Sequence, residues 1–310
     1  MNITEEFINN RYKNNYLVNN PNNSAYITIC NKINYQNTIP YFSIIIPVHN
    51  QENIIIENLV SILNNTTEKY YEIIIIIDSC SDNSELKVNN WIETFNFINY
   101  NLITNILLLK SDIPLFETVC DNIGLICSNG IYFLEIQADM KMTDYGYNMK
   151  LLKPFLLDNN IIGISGRCCH DFDCKNGVGK LGINILKTIE ELNIETNVYY
   201  IADTCNRGPL LLSVEKVKKL GYFDEVNYYL DNSDHDLFAR ANYYKNWLCG
   251  YVPINFVALL ENGSTRKTRN EINQYYYELK QKETQNGING FLIKNLMIKK
   301  TIEKKYLNKL

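Results

Sequence analysis

The sequence has no glycine-rich phosphate loop. Glycine and proline are scarce, at 14 and 7 of 310 residues, and the segment PVHNQEN (47–53), after the first strongly apolar run, contains no glycine. The G-x-G-x-x-G pattern, in which glycines let the backbone approach a pyrophosphate, is therefore missing. This argues against a dinucleotide site, and it also makes a nucleotidyltransferase on a similar sheet the weaker alternative.

Cysteine, histidine and serine do not form a recognisable site either. The nine cysteines are odd in number and make no C-x-x-C pair, which favours reduced thiols in the cytoplasm. The adjacent cysteines of RCCHDFDC (167–174) have poor spacing for a tetrahedral zinc. The chain has no G-x-S-x-G elbow, and its three histidines have no evident triad partners.

Long apolar runs and a surplus of positive charge are also missing. The first fifteen residues carry acids without an apolar core, and EIIIIID (72–78) is too short to span a bilayer. We therefore expect a soluble, cytoplasmic chain with no transmembrane segment. The net charge of −4 argues against a nucleic-acid partner. Asn, Ile, Lys and Tyr are abundant, as is typical of an AT-rich genome.

Buried strands alternate with amphipathic helices through the first half of the chain. Four apolar runs predict strands covered on both faces, and two segments with apolar residues on one stripe predict helices between them. This order predicts an α/β fold with a Rossmann-like, mostly parallel central sheet flanked by helices. The four strand runs are FSIIIPV (42–48), EIIIIID (72–78), TNILLLK (104–110) and IYFLEIQ (131–137).

Composition divides the chain into three parts. Residues 1–40 are rich in Asn and read as an extension with little core of its own, and residues 41–262 carry the strand and helix pattern. Residues 263–310 are rich in Lys, Asn and Tyr, and we expect a helical tail packed on the domain. In parallel α/β sheets ligands bind at the carboxyl ends of the strands, so those ends are the candidate site.

Two of these strand ends carry carboxylates. Asp78 follows five isoleucines and is suited to bind a base or ribose, although a helix cap explains it equally well. Because side chains alternate along an extended strand, Glu135, Gln137 and Asp139 are expected to share one side of it. Asp139 lies furthest toward the carboxyl end, where a divalent cation could bridge it to a diphosphate, although a solvated carboxylate is the alternative.

The late stretch YLDNSDHDLFARA (229–241) crowds acids at the start of a helix. The helix dipole alone could account for Asp234 and Asp236 in a first turn. Arg240 follows Asp236 by four residues and is expected to pair with it. Asp234 is then the freer carboxylate, suited to act as a general base. Arg207 in NRGPLL and Arg266 in NGSTRK are candidate anion contacts that could equally be solvated charges.

Five segments in this order resemble the inverting glycosyltransferases of family 2, which have the GT-A fold. The resemblance covers about residues 41–267, and its ordered set of motifs is more specific than any one of them. The segments are FSIIIPVHNQENIIIENLVSIL, EIIIIIDSCSDNS, DNIGL with NGIYFLEIQADM, NRGPLLLSVEKVKKLGYFDE and DNSDHDLFARA.

The resemblance implies a role for each matching position. Asp234 falls on the family's catalytic base, and Asp139 falls on the metal-binding member of its Asp-x-Asp motif, which implies manganese or magnesium. The other positions that match the family's nucleotide-sugar site are Pro47, Asn50, Glu52, Asp78, Asp82, Asn122 and Gln137. Arg207 and Arg266, which match no site position of the family, are candidate contacts for the departing diphosphate.

Three positions depart from the family pattern. Ser79 stands where a second Asp is usual, Asp121 where a basic residue often precedes the Asn, and Gln137 where the metal motif has its first Asp. The implied reaction is a single displacement from a UDP- or dTDP-linked sugar to a hydroxyl of a glycan, lipid or protein. The alternative is a non-catalytic nucleotide-sugar- or glycan-binding module that kept the fold.

Overall fold

The structure is a computed structural model. It describes residues 26–35, 37–166, 189–190, 195–202, 204–228, 232–258, 281 and 303–307. Arg266, the RCCHDFDC segment and most of residues 263–310 lie outside the described residues.

Twelve strands and six helices are assigned within the described part of the chain. The strands are β1 Ile27–Ile33, β2 Phe42–Val48, β3 Tyr71–Asp78, β4 Ile103–Ser111, β5 Tyr132–Glu135, β6 Met140–Met142, β7 Ile161–Ser165, β8 Val198–Ala202, β9 Leu210–Ser213, β10 Leu248–Tyr251, β11 Phe256–Ala258 and β12 Glu303–Tyr306. The helices are α1 Ile55–Asn65, α2 Ser84–Thr94, α3 Phe116–Cys127, α4 Tyr147–Leu157, α5 Val214–Lys219 and α6 Ser233–Lys245.

Ten strands form one sheet in the order β1-β4-β3-β2-β5-β9-β7-β10-β8-β12, and β11 pairs with β6 separately. Strands β4, β3, β2 and β5 are mutually parallel and are joined by helical crossovers. Antiparallel pairings flank them, β1 with β4 on one side and β5 with β9 on the other. The predicted α/β architecture with a mostly parallel central sheet is confirmed, and the carboxyl ends of the four parallel strands open on one edge.

Helices cover both faces of the central strands, which explains why their sequences are continuously apolar. Ile44 and Ile46 of β2 belong to the same buried cluster as residues of α1, whereas Ile45 belongs to the cluster of α3 on the other face. Helix α3 lies so close to the sheet that a Cβ on Gly124 would stand 2.7 Å from the side chain of Ile45. A larger residue there would force α3 and its site residues away from the sheet.

Three predicted segments differ from the structure. The N-terminal extension contributes β1, whose half-exposed residues pair with β4 at the sheet edge. The tail contributes strand β12, paired with β8, where only helix was expected. Strand β5 ends at Glu135, so the alternation predicted to bring Glu135, Gln137 and Asp139 to one side does not continue; the chain turns before β6.

No helix in the ranges that the structure describes is both long and apolar enough to cross a bilayer.

Candidate active site

The loops that follow β2 and β3 lock together at the carboxyl edge of the sheet. The Asn50 side-chain oxygen accepts hydrogen bonds from the backbone N–H groups of Ser81 and Asp82, at 2.8 and 3.3 Å. Glu52 donates its backbone N–H to Asp82 at 3.0 Å and accepts from the Asn83 side chain at 2.8 Å. Asn50 has a φ of +50°, a conformation that Asn adopts more readily than most residues. Asn50, Glu52 and Asp82 therefore shape one double loop.

Asp82 is held in its ionised form by this loop. Burial raises the pKa of the Asp82 carboxyl. Hydrogen bonds from the hydroxyl and backbone N–H of Ser84 and from the N–H of Glu52 lower that pKa by a larger amount, so its net shift is downward. The loop thus favours the charged form of Asp82 next to the end of β3.

Asp78 joins β3 to the start of α3. One carboxyl oxygen accepts the backbone N–H of Leu115 at 2.7 Å and the other accepts that of Phe116 at 3.0 Å. Burial raises the pKa of Asp78, partly offset by these two bonds and by His49. His49 Nδ1 lies 2.7 Å from the Asp78 carbonyl oxygen, which places the imidazole beside the double loop. The cap that the sequence left open belongs to the helix after SCSDNSE, which is α2; the structure instead shows Asp78 accepting the first N–H groups of α3, which need acceptors.

Asn122 and Pro47 are the deeper members of the predicted set. Asn122 is fully buried; its side chain accepts the N–H of Phe223 at 3.0 Å and donates to the Phe223 carbonyl at 3.1 Å and to Glu225 at 2.7 Å. These three bonds tie α3 to the chain that follows α5. Pro47 is half-buried within β2, in register with β3.

The first turn of α3 is also the anchor for the chain beyond β5. The Gln137 amide donates to the Glu117 carboxylate, and the Gln137 carbonyl accepts from Asn58 at 3.0 Å. Gly208, with a φ of +58°, passes against Gln137 so closely that a Cβ there would stand 3.0 Å from its side chain. Gln137 and the segment of Arg207 therefore meet at Glu117.

Arg207 reaches across this meeting point. Its side chain is 6 % exposed, and Nη1 lies 3.3 Å from a carboxyl oxygen of each of Glu117 and Asp121. Nη2 donates to Thr118 at 3.2 Å and to Ser233. Burial lowers the pKa of this guanidinium, but the carboxylates, Asp121 first, raise it by more, so the net shift is upward. The guanidinium thus faces α3 and α6.

Two fully buried acids complete the cluster. Burial raises the pKa of Asp121 to about 8 despite the nearby Arg207, and burial, then the charge of Asp121, raises the pKa of Glu135 well above its usual range. Asp121 is ion-paired with Arg207, and the neighbouring Glu117 also raises the pKa of Glu135. The sequence did not point to Glu117 or Asp121 as site residues. Two of its features could have indicated the cluster: the four-residue spacing of Glu117 and Asp121, and the charged Glu135 inside an apolar strand.

Asp234 lies in the first turn of α6, 9 % exposed. One carboxyl oxygen accepts the backbone N–H of Arg207 at 3.2 Å, and the other accepts the N–H of His235 at 2.8 Å. Asp236 is fully buried and accepts from Arg240 at 2.7 Å. The predicted pairing of Asp236 with Arg240 is confirmed, and Asp234 stays at the surface of the cluster.

Asp139 is half-buried in the turn between β5 and β6. In the part of the chain that the structure describes, no three acidic, histidine or cysteine side chains are grouped to hold a metal ion. Magnesium and manganese sites commonly use one or two carboxylates and complete their shell with phosphate and water. Asp139 fits a cation of that kind when a diphosphate supplies further oxygens.

The contacts above run around a single helix turn. Asp78 binds its beginning, and Gln137 binds Glu117 within it. Arg207 connects Glu117 to Ser233 and, through its backbone, to Asp234. Positions far apart in sequence therefore converge on residues 115–118. Asp139 follows two residues after Gln137, and Arg266 lies outside the described residues.

Two solved structures share this fold. The mannosyltransferase PcManGT from Pyrobaculum calidifontis, in complex with GDP-Man and Mn2+, matches with a TM-score of 0.51 and 16% identity, over 71% of this chain and 58% of that one. GalNAc-T7 with UDP, GalNAc and Mn2+ matches with a TM-score of 0.53 and 14% identity, over 72% of this chain and 44% of that one. The fold is that of the GT-A glycosyltransferases. This chain spans roughly half the length of these two proteins.

The family resemblance has independent support in the sequence. Residues 43–105 match the model of glycosyl transferase family 2, which covers β2, α1, β3, α2 and the start of β4 and confirms the resemblance. No curated protein sequence matches the chain.

Proposed function

We propose that the chain is an inverting glycosyltransferase that moves a sugar from a nucleotide-diphosphate sugar, UDP- or dTDP-linked, to a hydroxyl of a glycan, lipid or protein acceptor. The observation that carries this proposal is the set of contacts joining Asp78, Gln137, Arg207 and Asp234 around the first turn of α3. It lies at the carboxyl edge of a parallel sheet, where α/β folds bind nucleotides. The complexes of both structural neighbours with nucleotides are consistent with it.

Asp234 is the proposed base in this reaction. Within the described residues, one of its oxygens accepts the backbone N–H of Arg207 and the other that of His235, which leaves each a lone pair for an acceptor hydroxyl. The double loop of Asn50, Glu52 and Asp82 would line the nucleoside, with His49 beside Asp78. Asp139 would hold a manganese or magnesium ion, which stabilises the charge of the departing diphosphate when bound.

The reaction would take place in the cytoplasm. The six cysteines in the described ranges are all free thiols, which supports a reducing compartment.

Nucleoside diphosphate release tests the proposal. UDP-GlcNAc, UDP-glucose, dTDP-glucose and GDP-mannose are incubated with the protein and manganese, and the released nucleotide is identified by chromatography. We expect one donor to yield nucleoside diphosphate and free or transferred sugar. A nucleotidyltransferase would leave these donors uncleaved and would release pyrophosphate only in a separate reaction that supplies a nucleoside triphosphate and a sugar 1-phosphate. Binding of a donor without turnover on any acceptor would favour the non-catalytic module. The hydrogen bond from the Gln137 amide to Glu117 is the feature that motivates this alternative.

A further inference from the structure

The buried guanidinium of Arg207 is connected to the candidate base by two independent routes. Its backbone N–H donates to the Asp234 carboxyl at 3.2 Å, and its Nη2 donates to the hydroxyl of Ser233, the first residue of α6. The same nitrogen also donates to Thr118. The Ser233 hydroxyl lies 2.9 Å from that of Thr118. The start of α6 is therefore fixed to α3 through one side chain.

The groups that face Arg207 come from four elements. Glu117 and Asp121 belong to α3, Glu135 to β5 and Asp234 to α6, and all four carboxyls interact electrostatically with the guanidinium. The ring of Phe223, from the segment after α5, lies 4.8 Å from its central carbon. One positive charge thus stands among four acids in a nearly dry environment, where charge interactions are strong.

Stability alone does not account for this arrangement. Arg240, the other fully described buried arginine, pairs with Asp236 and donates to the carbonyls of Leu220 and Tyr222 at 2.5 and 2.8 Å. Around Arg207, by contrast, Nε and four buried carboxyl oxygens of Asp121 and Glu135 lack hydrogen-bond partners among the described residues. Buried polar groups without partners are costly, and such clusters concentrate at functional sites.

A direct contact with the donor diphosphate fits the geometry less well than an internal role. Nη1 and Nη2 are both engaged by α3 and α6, and the side chain is 6 % exposed. A diphosphate would have to displace Glu117, which also holds Gln137. The interactions of Arg207 are thus directed toward the base and away from the nucleotide.

We propose that Arg207 is a positioning residue for glycosyl transfer: its backbone N–H and its link to Ser233 orient the Asp234 carboxylate toward the acceptor. The inference rests on the proposed function, because it takes Asp234 to be the base. It gives the guanidinium an internal role in place of the anion contact that the sequence predicts.

Three variants test this role with the donor that the wild-type chain hydrolyses fastest. Arg207→Met removes the positive charge and the branched guanidinium group, whereas Arg207→Lys keeps the positive charge. Ser233→Ala removes only the hydroxyl that links Arg207 to α6. We expect kcat to fall about 100-fold in Arg207→Met, the lower end of general-base effects, and about 10-fold in the other two, which each keep part of the arrangement. The dissociation constant of UDP, or of the matching nucleoside diphosphate, should change less than about threefold, because loss of an interaction made only in the transition state lowers kcat and leaves binding in place.

Rescue by a conservative variant separates positioning from a purely structural effect. Ser233→Thr keeps a hydroxyl within reach of Arg207, so it should recover most of the kcat that Ser233→Ala loses. Arg240→Lys is the matched control: it disturbs a buried arginine on α6, and we expect a lower melting temperature without the loss of kcat seen in Arg207→Met.

Two results would overturn the inference. The first is a loss of nucleotide affinity as large as the loss of kcat/KM in the Arg207 variants, which would make Arg207 a diphosphate contact. The second is an unchanged kcat in both Arg207→Met and Ser233→Ala while Asp234→Asn is inactive. A wild-type chain that turns over no donor would instead refute the proposed function, and this inference with it.

Discussion

At the scale of single residues, the chemistry of the site depends on which carboxyl groups are already engaged by hydrogen bonds or ion pairs. Asp236 has a buried arginine, Asp78 caps a helix, and Asp82 receives hydrogen bonds from Ser84 and Glu52. Asp234 accepts two backbone N–H groups from the described residues, and its side chain is 12 % exposed. The sequence predicts the pairing of Asp236 with Arg240 from their spacing, because i and i+4 residues are neighbours on a helix.

Replacement of Asp234 by Asn should abolish turnover without loss of the fold. The amide keeps the size of the side chain but cannot accept the acceptor proton, so we expect kcat to fall about 10²–10⁴-fold, the usual range for a general base. Donor binding, measured by calorimetry, should be retained. Activity within a factor of about three of wild type, where a base contributes at least about 10², would mean that another group takes the proton.

Replacement of Asp121 by Asn should flatten the dependence of stability on pH. The folded state holds the Asp121 proton up to a pKa of about 8, whereas the unfolded state releases it near pH 4. The folded state thus binds more protons across this window, and the free energy of unfolding falls as pH rises through it, by at most about 1.4 kcal/mol per pH unit for this group.

Urea unfolding at pH 5, 6.5 and 8 measures this slope. The wild-type chain should lose stability toward pH 8 more steeply than Asp121→Asn. Glu135 contributes in the same direction to both. Asp112→Asn, at a carboxyl 82 % exposed, is the control and should match wild type. Equal slopes for wild type and Asp121→Asn would show that the buried carboxyl is ionised throughout.

At the scale of elements, helix α3 organises the site more than any strand does. Its first turn binds Asp78, Gln137 and Arg207, and its second turn carries Asp121 and Asn122. The sequence predicts this helix from its apolar stripe but not its role, because hydrophobic periodicity locates the buried face and leaves the polar partners undetermined.

Asn122→Ala should lower stability more than nucleotide affinity. The variant removes all three hydrogen bonds between α3 and the Phe223–Glu225 segment, and each buried group left without a partner costs about 1–3 kcal/mol. Thermal unfolding and calorimetry with nucleoside diphosphate measure the two effects. Loss of affinity in a variant whose melting temperature is unchanged would place Asn122 in direct contact with the ligand, as the family resemblance implies.

Strand ends were the least predictable elements. Long β-branched runs such as Tyr71–Asp78 were predicted to within one residue, since their burial on both faces leaves a clear signal. Strands β1 and β12 were missed because edge strands are half-exposed and mix charged with apolar residues. The turn after Glu135 was missed because nothing in IQAD marks a break.

At the scale of the whole molecule, the site exists only through contacts between distant parts of the chain. The order of motifs predicts the GT-A fold, and with it the edge on which Asp78, Gln137 and Asp234 meet. The buried cluster of Glu117, Asp121, Glu135 and Arg207 depends on antiparallel β9 following β5 in the sheet. Sequence spacing carries no information on that neighbour relationship.

A donor that fits the site should stabilise the whole fold. A ligand at 100 times its dissociation constant adds about 2.7 kcal/mol, so the preferred nucleotide-sugar should raise the melting temperature most in a thermal-shift panel. Manganese should increase that shift if Asp139 and the diphosphate share the cation. Equal shifts with all nucleotides, with or without manganese, would contradict a specific donor site.

The stereochemistry of the released sugar tests the central claim most directly. An α-linked nucleotide-sugar is hydrolysed by the protein, and proton NMR spectra are recorded before the free sugar mutarotates. A single displacement in which Asp234 activates the attacking hydroxyl predicts the β-anomer as the first product, and predicts none from Asp234→Asn. The α-anomer as first product, or equal release by Asp234→Asn, would contradict the account.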